Sequence, residues 1–118
     1  MIRGIHHVAV HVCDLDRMIR FYHDAFGFEI VGEAFSWSND AFIDKIVDVP
    51  DSAARGAMLR AGTCYLEMFQ YSAPAPAWDR PLQPYDKGYT HFCVDATDIE
   101  AEYTRLKGLG MTFSQDAP

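Results

Sequence analysis

The sequence has 118 residues, which is enough for one domain, and 49% of them are hydrophobic, so the chain can build a core. Its formal net charge of −7, with no basic cluster, excludes nucleic acid as a natural partner, because a phosphate backbone would be repelled. The sequence shows no bilayer-spanning run and no signal peptide, and its three scattered cysteines favour a reducing compartment, so we expect a cytoplasmic protein.

Alternating and helical patterns follow one another through the first 37 residues. Residues 5–13 are β-branched and alternate in polarity, as a strand does. Asp14 then predicts an N-cap for an amphipathic helix through Phe26, which Gly27 ends. Residues 28–37 are predicted to form the second strand.

The next segment completes a first module of the form βαβββ. Asp40 predicts the cap of a short helix through Val47. Residues 57–61 and 63–71 are predicted to be two strands that meet at Gly62. We therefore assign residues 1–72 to module one of a single domain that spans residues 1–118.

A proline-rich stretch separates this module from a second, partial one. Prolines 74, 76, 81 and 84 indicate a linker over residues 73–87. Residues 88–95 are predicted to form a fifth strand, Asp98 to cap a helix through about Leu109, and residues 111–114 to begin another strand. We assign residues 88–118 to module two and expect it to be partial, without its last two strands.

The order of features repeats at a fixed offset, which indicates two copies of one module. His7 precedes Asp14 by seven residues, and His91 precedes Asp98 by seven. Both pairs are related by an offset of 84 residues, since 91 − 7 and 98 − 14 are both 84. Each copy is predicted to carry a histidine on a strand, followed by an Asp-capped helix.

Strand parity predicts which side chains share a face, because side chains alternate with a period of two. In each of three predicted strands, the polar candidate lies opposite the more aliphatic side. His7, Glu67 and His91 would share one face of the sheet if their strands are neighbours. The sets are His7, Ala9 and His11; Tyr65, Glu67, Phe69 and Tyr71; and Tyr89, His91, Cys93 and Asp95. His6 falls on the helix side and is interpreted as structural.

Four segments resemble the vicinal-oxygen-chelate superfamily, which contains glyoxalases, bleomycin-resistance proteins and dioxygenases. They are GIHHVAVHVCDL, FYHDAFGFE, YLEMF and GYTHFCV, and the resemblance extends along nearly the whole chain. It implies an α+β fold of paired βαβββ modules, which form a curled mixed sheet around a metal cleft. It also implies a homodimer, whose contacts would cover unpaired strand edges.

The resemblance implies that His7, Glu67 and His91 bind one divalent metal ion. Two imidazoles and a carboxylate suit Zn, Ni, Co, Mn or Fe(II). The family's fourth ligand, a Glu on the eighth strand, would lie beyond residue 118. The partner implied is a small molecule with two adjacent oxygens, and His11, Phe69, Tyr71 and Tyr89 are the candidate substrate-binding residues.

The His-Glu-His pattern is similar to glyoxalase I, the lactoylglutathione lyase, and the resemblance also extends to epimerases. Both imply proton transfer next to a carbonyl through a metal-stabilised enediolate, with Glu67 as the candidate base. His11 and Tyr71 stand where glyoxalase I has its glutathione-binding Arg and Asn, which argues against glutathione. The alternatives are an extradiol-type ring-cleaving dioxygenase and a metal-free small-molecule binding or resistance protein.

Overall fold

The computed structural model describes residues 1–78 and 80–115 of the chain. It comprises two units, residues 1–77 and residues 78–118. No helix in the described part of the chain is long and apolar enough to cross a membrane.

The first unit is built on a four-stranded mixed sheet with the order β1-β4-β3-β2. β1 runs parallel to β4, and the other two neighbouring pairs are antiparallel. The predicted α+β class and the βαβββ succession of elements in module one are therefore confirmed. The elements are β1 (His7–His11), α1 (Leu15–Phe26), β2 (Glu29–Trp37), α2 (Ala41–Val47), β3 (Ala53–Ala61) and β4 (Cys64–Ala73).

Local capping begins and ends the helices of the first unit where the sequence predicts. The Asp14 carboxylate accepts a hydrogen bond from the Arg17 amide at 3.0 Å, and Gly27 ends α1 with φ of +68°. The Asp40 carboxylate accepts from two amides in the first turn of α2. These caps satisfy backbone groups that have no partner inside the helix.

The core lies between α1 and one face of the sheet. Leu15 of α1, Leu59 of β3 and Met68 of β4 are fully buried. The Leu15 amide donates to the side-chain oxygen of Gln70 at 3.0 Å, and Arg55 donates two hydrogen bonds to Asp16. Gln70 and Arg55 share the parity of the aliphatic residues of their strands, so α1 covers that face.

On the opposite face, the Phe35 ring packs over Gly56, where a larger residue would clash with it. A Cβ atom at Gly56 would lie 2.6 Å from two ring atoms of Phe35 and 3.0 Å from the carbonyl oxygen of Met68. Gly56 is the cross-strand partner of Phe35, so the ring lies over the bare Cα. The missing side chain leaves the space that the aromatic ring occupies.

The second unit contains α3 (Ile99–Gly108), which confirms the predicted helix. The Asp98 carboxylate caps it through the Ala101 amide at 3.0 Å. The strands predicted at residues 88–95 and 111–114 are wrong, since neither segment is extended in a ladder.

The physical reason for this error is the lack of a partner strand. In the first unit, the backbone around β1 is hydrogen-bonded to β4. The described part of the second unit offers no strand that residues 88–95 could pair with. A strand forms only when a neighbouring strand supplies its ladder hydrogen bonds, so this alternating pattern stays outside a sheet in the described residues.

Candidate functional site

The sheet face opposite α1, which we call the site face, carries the predicted site residues of the first unit. Cross-strand pairing places Ala9 beside Glu67, and His11 beside Phe69. Val8 and Val10 are half-buried on the other side, whereas His7, Ala9 and His11 are exposed. The parity predicted for β1 and β4 is therefore confirmed.

The structure brings two of the predicted metal ligands together. The Nε2 atom of His7 lies 3.3 Å from Oε2 of Glu67, and the side chains are 42% and 19% exposed. The cross-strand neighbours of Glu67 are Ala9 and Met58. Both side chains are uncharged, so neither neighbour adds a charge beside the carboxylate. Among the described residues, His7 is the one ion-pair partner of this carboxylate.

The spacing of this pair fits two ligands of one ion. Two donors that are each about 2.0–2.1 Å from a tetrahedral ion are about 3.3 Å apart. An imidazole nitrogen and a carboxylate oxygen are both donors to divalent transition metals. Within residues 1–78 and 80–115, however, no three His, Cys, Asp or Glu side chains gather into a ligand set.

His11 and Tyr71, both predicted to bind substrate, contact each other on the site face. The Tyr71 amide donates to Nε2 of His11 at 3.2 Å, so this nitrogen is an acceptor. The two rings meet edge to face with centroids 5.5 Å apart. This hydrogen bond joins the imidazole of His11, the last residue of β1, to Tyr71 of β4, which lies two residues beyond the cross-strand partner of His11.

Phe69 and Tyr71 belong to an aromatic cluster with Phe35 and Trp37 of β2. Trp37 meets Phe69 and Tyr71 edge to face, at centroid distances of 5.8 and 5.7 Å. Phe35 lies 5.9 Å from Phe69 in the same geometry. The cluster forms an apolar wall beside Glu67 along β4.

A cavity of about 610 Å³ opens at one end of this wall. Trp37 and Tyr71 line it together with polar side chains that include Asp40 and Gln70. This volume is within the range of small-molecule sites. Neither His7 nor Glu67 lines this cavity, so the predicted ligands lie outside it.

Tyr71 lines the cavity and is also close enough to Glu67 for the negative charge of that carboxylate to affect its hydroxyl. Burial raises the pKa of its hydroxyl, and the negative charge of Glu67 raises it further. The Tyr71 hydroxyl therefore stays protonated at neutral pH. It can donate a hydrogen bond to a substrate oxygen but does not act as a base there.

Trp37 is held by a hydrogen-bonded chain that sequence reasoning missed. Its indole Nε1 donates to the Ser52 hydroxyl at 2.8 Å, and that hydroxyl donates to the Asp44 carboxylate at 2.6 Å. Ser52 is 1% exposed. Hydrogen bonds from the Ser52 hydroxyl first, and then from the Ser52 and Asp51 amides, lower the pKa of Asp44. The signal available in the sequence was the parity of Phe35 and Trp37 on β2.

Tyr89 and His91, the remaining predicted site residues, lie in the second unit. The Nδ1 atom of His91 is 3.1 Å from the Thr90 hydroxyl, and Tyr89 is 49% exposed. Because residues 88–95 form no strand, the parity argument that placed His91 on a shared face does not hold. The prediction that His91 is a ligand now depends on the repeat and the family resemblance.

The interpretation of His6 as a helix-side residue is also wrong. His6 precedes β1 rather than belonging to it, so strand alternation does not decide its direction. Its ring stacks on Tyr65, a site-face residue, at 4.8 Å. Its Nδ1 atom lies 3.0 Å from Nδ1 of His7. The adjacent histidines were the signal that could have found this contact.

Comparison with known proteins gives concordant results. A model of the glyoxalase/bleomycin resistance protein/dioxygenase superfamily matches residues 4–118. A relative named 2-epi-5-epi-valiolone epimerase, from an Actinomyces species, is 36% identical over 111 residues, which are 88% of this chain and 58% of the epimerase. The chain thus spans little more than half the length of that relative.

Two solved structures illustrate the likeness in fold. A glyoxalase family protein from Bacillus cereus superposes with a TM-score of 0.72 at 21% identity, over 93% of this chain and 74% of that one. The fosfomycin resistance protein FosX from Listeria monocytogenes, crystallised with Mn(II) and sulfate, gives a TM-score of 0.58 at 17% identity, over 98% and 79% of the two chains.

Proposed function

Because this chain belongs to the glyoxalase/bleomycin resistance protein/dioxygenase superfamily, we propose that it is a metal-dependent enzyme that transfers a proton at a carbon next to a carbonyl. The observation that carries the proposal is the pairing of Glu67 with His7 at 3.3 Å on the site face. A partly buried carboxylate beside a metal-binding imidazole can accept a proton from a substrate carbon that lies next to a metal-bound carbonyl. The epimerase relative favours this chemistry over ring cleavage.

His7 and Glu67 would hold the metal ion, and we propose His91 as a third ligand from the sequence repeat. A divalent ion at these ligands would polarise a substrate carbonyl and stabilise negative charge on its oxygen. Glu67 would take the proton from the neighbouring carbon and return it. Tyr71, protonated at neutral pH, would donate a hydrogen bond to a substrate oxygen.

The aromatic cluster would position the substrate and exclude water from the carboxylate. His11 and Phe69 lie on the same face as Glu67 and flank the approach to it. Tyr89 remains a proposed substrate contact from the second unit. We also propose that the protein is a cytoplasmic homodimer, and size measurement by light scattering tests the dimer.

Metal binding is the first test. We expect wild-type protein to bind about one Zn, Ni, Co, Mn or Fe(II) ion per site, measured by elemental analysis after dialysis. His7→Ala and His91→Ala should lose the metal. His23→Ala is the matched control, since this α1 imidazole is engaged with the Phe28 carbonyl. If His91→Ala binds like wild type, His91 is not a ligand.

Glu67→Gln tests the base. Gln still offers an oxygen to the metal but cannot accept a proton, so we expect metal retention and a rate loss of roughly 10²–10⁴-fold. The assay is deuterium incorporation from D₂O into 2-epi-5-epi-valiolone, followed by proton NMR. Consumption of O₂ with a catechol and Fe(II) would instead favour the dioxygenase. A wild-type protein that binds none of the five ions would favour the metal-free binding protein.

A further inference from the structure

Both ring nitrogens of His7 are engaged in the structure. Its Nε2 faces the Glu67 carboxylate at 3.3 Å, and its Nδ1 lies 3.0 Å from Nδ1 of His6. The two imidazoles meet edge to face, with centroids 5.3 Å apart. The direction of the His7 ring is therefore set from both sides.

His6 is itself anchored to β4, although it lies outside the strand. Its ring stacks on Tyr65 with a centroid distance of 4.8 Å and an interplanar angle of 23°. Its carbonyl accepts a hydrogen bond from the Tyr65 amide at 3.1 Å. These two contacts hold the His6 ring where it can serve as a fixed partner for His7.

The contact between the two Nδ1 atoms can hold only one proton, so one ring donates and the other accepts. A metal ligand at Nε2 of His7 requires that this nitrogen be bare, which leaves the proton on Nδ1. The Nδ1 atom of His6 must then accept, and its own proton lies on Nε2. His6 thus takes the place that a carboxylate or carbonyl commonly takes behind a ligating histidine.

We propose that His6 is a positioning residue, which orients His7 and selects its metal-binding tautomer through the Nδ1–Nδ1 hydrogen bond. This inference rests on the proposed metal site. It assigns a function to the first histidine of the His6-His7 pair, which strand parity had placed on the wrong side. Tyr65, through stacking, supports His6 and not the metal directly.

Two substitutions separate the hydrogen bond from the stacking. His6→Phe keeps an aromatic ring for Tyr65 but removes the acceptor, and we expect zinc affinity to fall about 10–100-fold in a chelator competition titration. His6→Asn places an acceptor oxygen near the position of Nδ1 and should stay within a few-fold of wild type. His23→Phe, which removes an imidazole of α1 that is engaged with the Phe28 carbonyl, should leave zinc affinity unchanged.

The tautomer provides a second readout that does not depend on activity. Long-range proton–nitrogen NMR spectra of the zinc-loaded protein should show His7 protonated at Nδ1 and His6 at Nε2. Wild-type zinc affinity in His6→Phe, or coordination of His7 through Nδ1, would overturn the role of His6 and leave the metal site standing. A wild-type protein that binds no zinc would overturn the zinc site and this inference together.

Discussion

Both units contain a histidine followed seven residues later by a helix-capping aspartate, but the surrounding backbone differs between them. Asp14 and Asp98 both cap a helix, with φ and ψ of −140° and 97° in one case and −138° and 93° in the other. Each carboxylate accepts from the amide three residues later at 3.0 Å. Seven residues before each aspartate stands a histidine, yet only His7 lies on a strand.

The difference shows which features depend on local sequence and which depend on distant segments. A cap needs only residues within one turn of the helix, so it forms in both units. A strand needs a neighbour, and β1 has one in β4, more than 50 residues further along the chain. Where that neighbour is missing from the described unit, the same alternating pattern does not form a ladder.

The largest expected effect tests whether stability resides mainly in the first unit. Leu59→Ala empties a side-chain position that is 0% exposed, and we expect it to lower the free energy of unfolding by about 2–5 kcal/mol. Leu109→Ala, at the end of α3, removes a side chain that is 60% exposed and should change it by less than about 0.5 kcal/mol. Urea denaturation followed by circular dichroism measures both. Equal losses would contradict the proposed difference between the units.

This contrast between local caps and distant strand partners explains which elements could be predicted from the sequence. Periodicity and capping predicted α1, α2 and α3, and the four strands of the first unit. The start of β3, residues 53–56, was missed, since these residues carry no alternating apolar signal and are extended because they pair with β4. Nothing in the local sequence of residues 88–95 indicated that the described part of the second unit would offer no strand for them to pair with.

The candidate site was likewise predicted only where its residues lie within paired strands. Parity placed Glu67 and His7 on one face correctly, because both lie within paired strands. Parity gave the wrong side for His6, which lies just outside β1. It does not apply to His91, because residues 88–95 form no strand. The link from Trp37 through Ser52 to Asp44 depends on how the loop after α2 folds back, which no periodicity encodes.

A glycine-to-alanine pair should give opposite signs in the two units. Gly56→Ala would push a methyl group against the Phe35 ring and the Met68 carbonyl, and we expect a loss of about 1–3 kcal/mol. Because Phe35 packs with Phe69 and near Trp37, tryptophan fluorescence should also change. Gly108→Ala, in α3, meets nothing within 4 Å and should stabilise that helix by up to about 1 kcal/mol. A neutral Gly56→Ala would mean that the Phe35 ring moves aside without cost.

The smallest effect concerns two carboxylates whose pKa values are lowered for different reasons. In the first unit, neutral donors lower the pKa of Asp44: the Ser52 hydroxyl first, then the amides of Ser52 and Asp51. In the second unit, the Arg80 guanidinium lowers the pKa of Asp86, with a further contribution from the Gln83 amide. The guanidinium nitrogen lies 2.7 Å from the carboxylate oxygen, and both side chains are partly exposed.

Salt should separate the two cases. Raising the salt concentration from 0.1 to 1 M shortens the Debye length from about 10 to about 3 Å, which weakens an exposed ion pair but not a bond from a neutral donor. Carbon-13 NMR titration should therefore show the pKa of Asp86 rising toward its ordinary value of 3.8, with that of Asp44 nearly constant. Similar salt responses would contradict the assignment of the Asp44 shift to neutral donors.

The same lowering makes Asp44 a source of pH-dependent stability. A carboxyl whose pKa is lower in the folded state favours folding above its ordinary value of 3.8, and that contribution is lost as the pH falls through the folded pKa. Asp44→Asn should therefore be less stable than wild type at neutral pH, and the gap should narrow below pH 3.8. Asp24→Asn, an exposed change on α1, controls for the loss of one negative charge. A gap that is constant with pH would mean that Asp44 holds Ser52 by shape and hydrogen-bond number alone, without its charge.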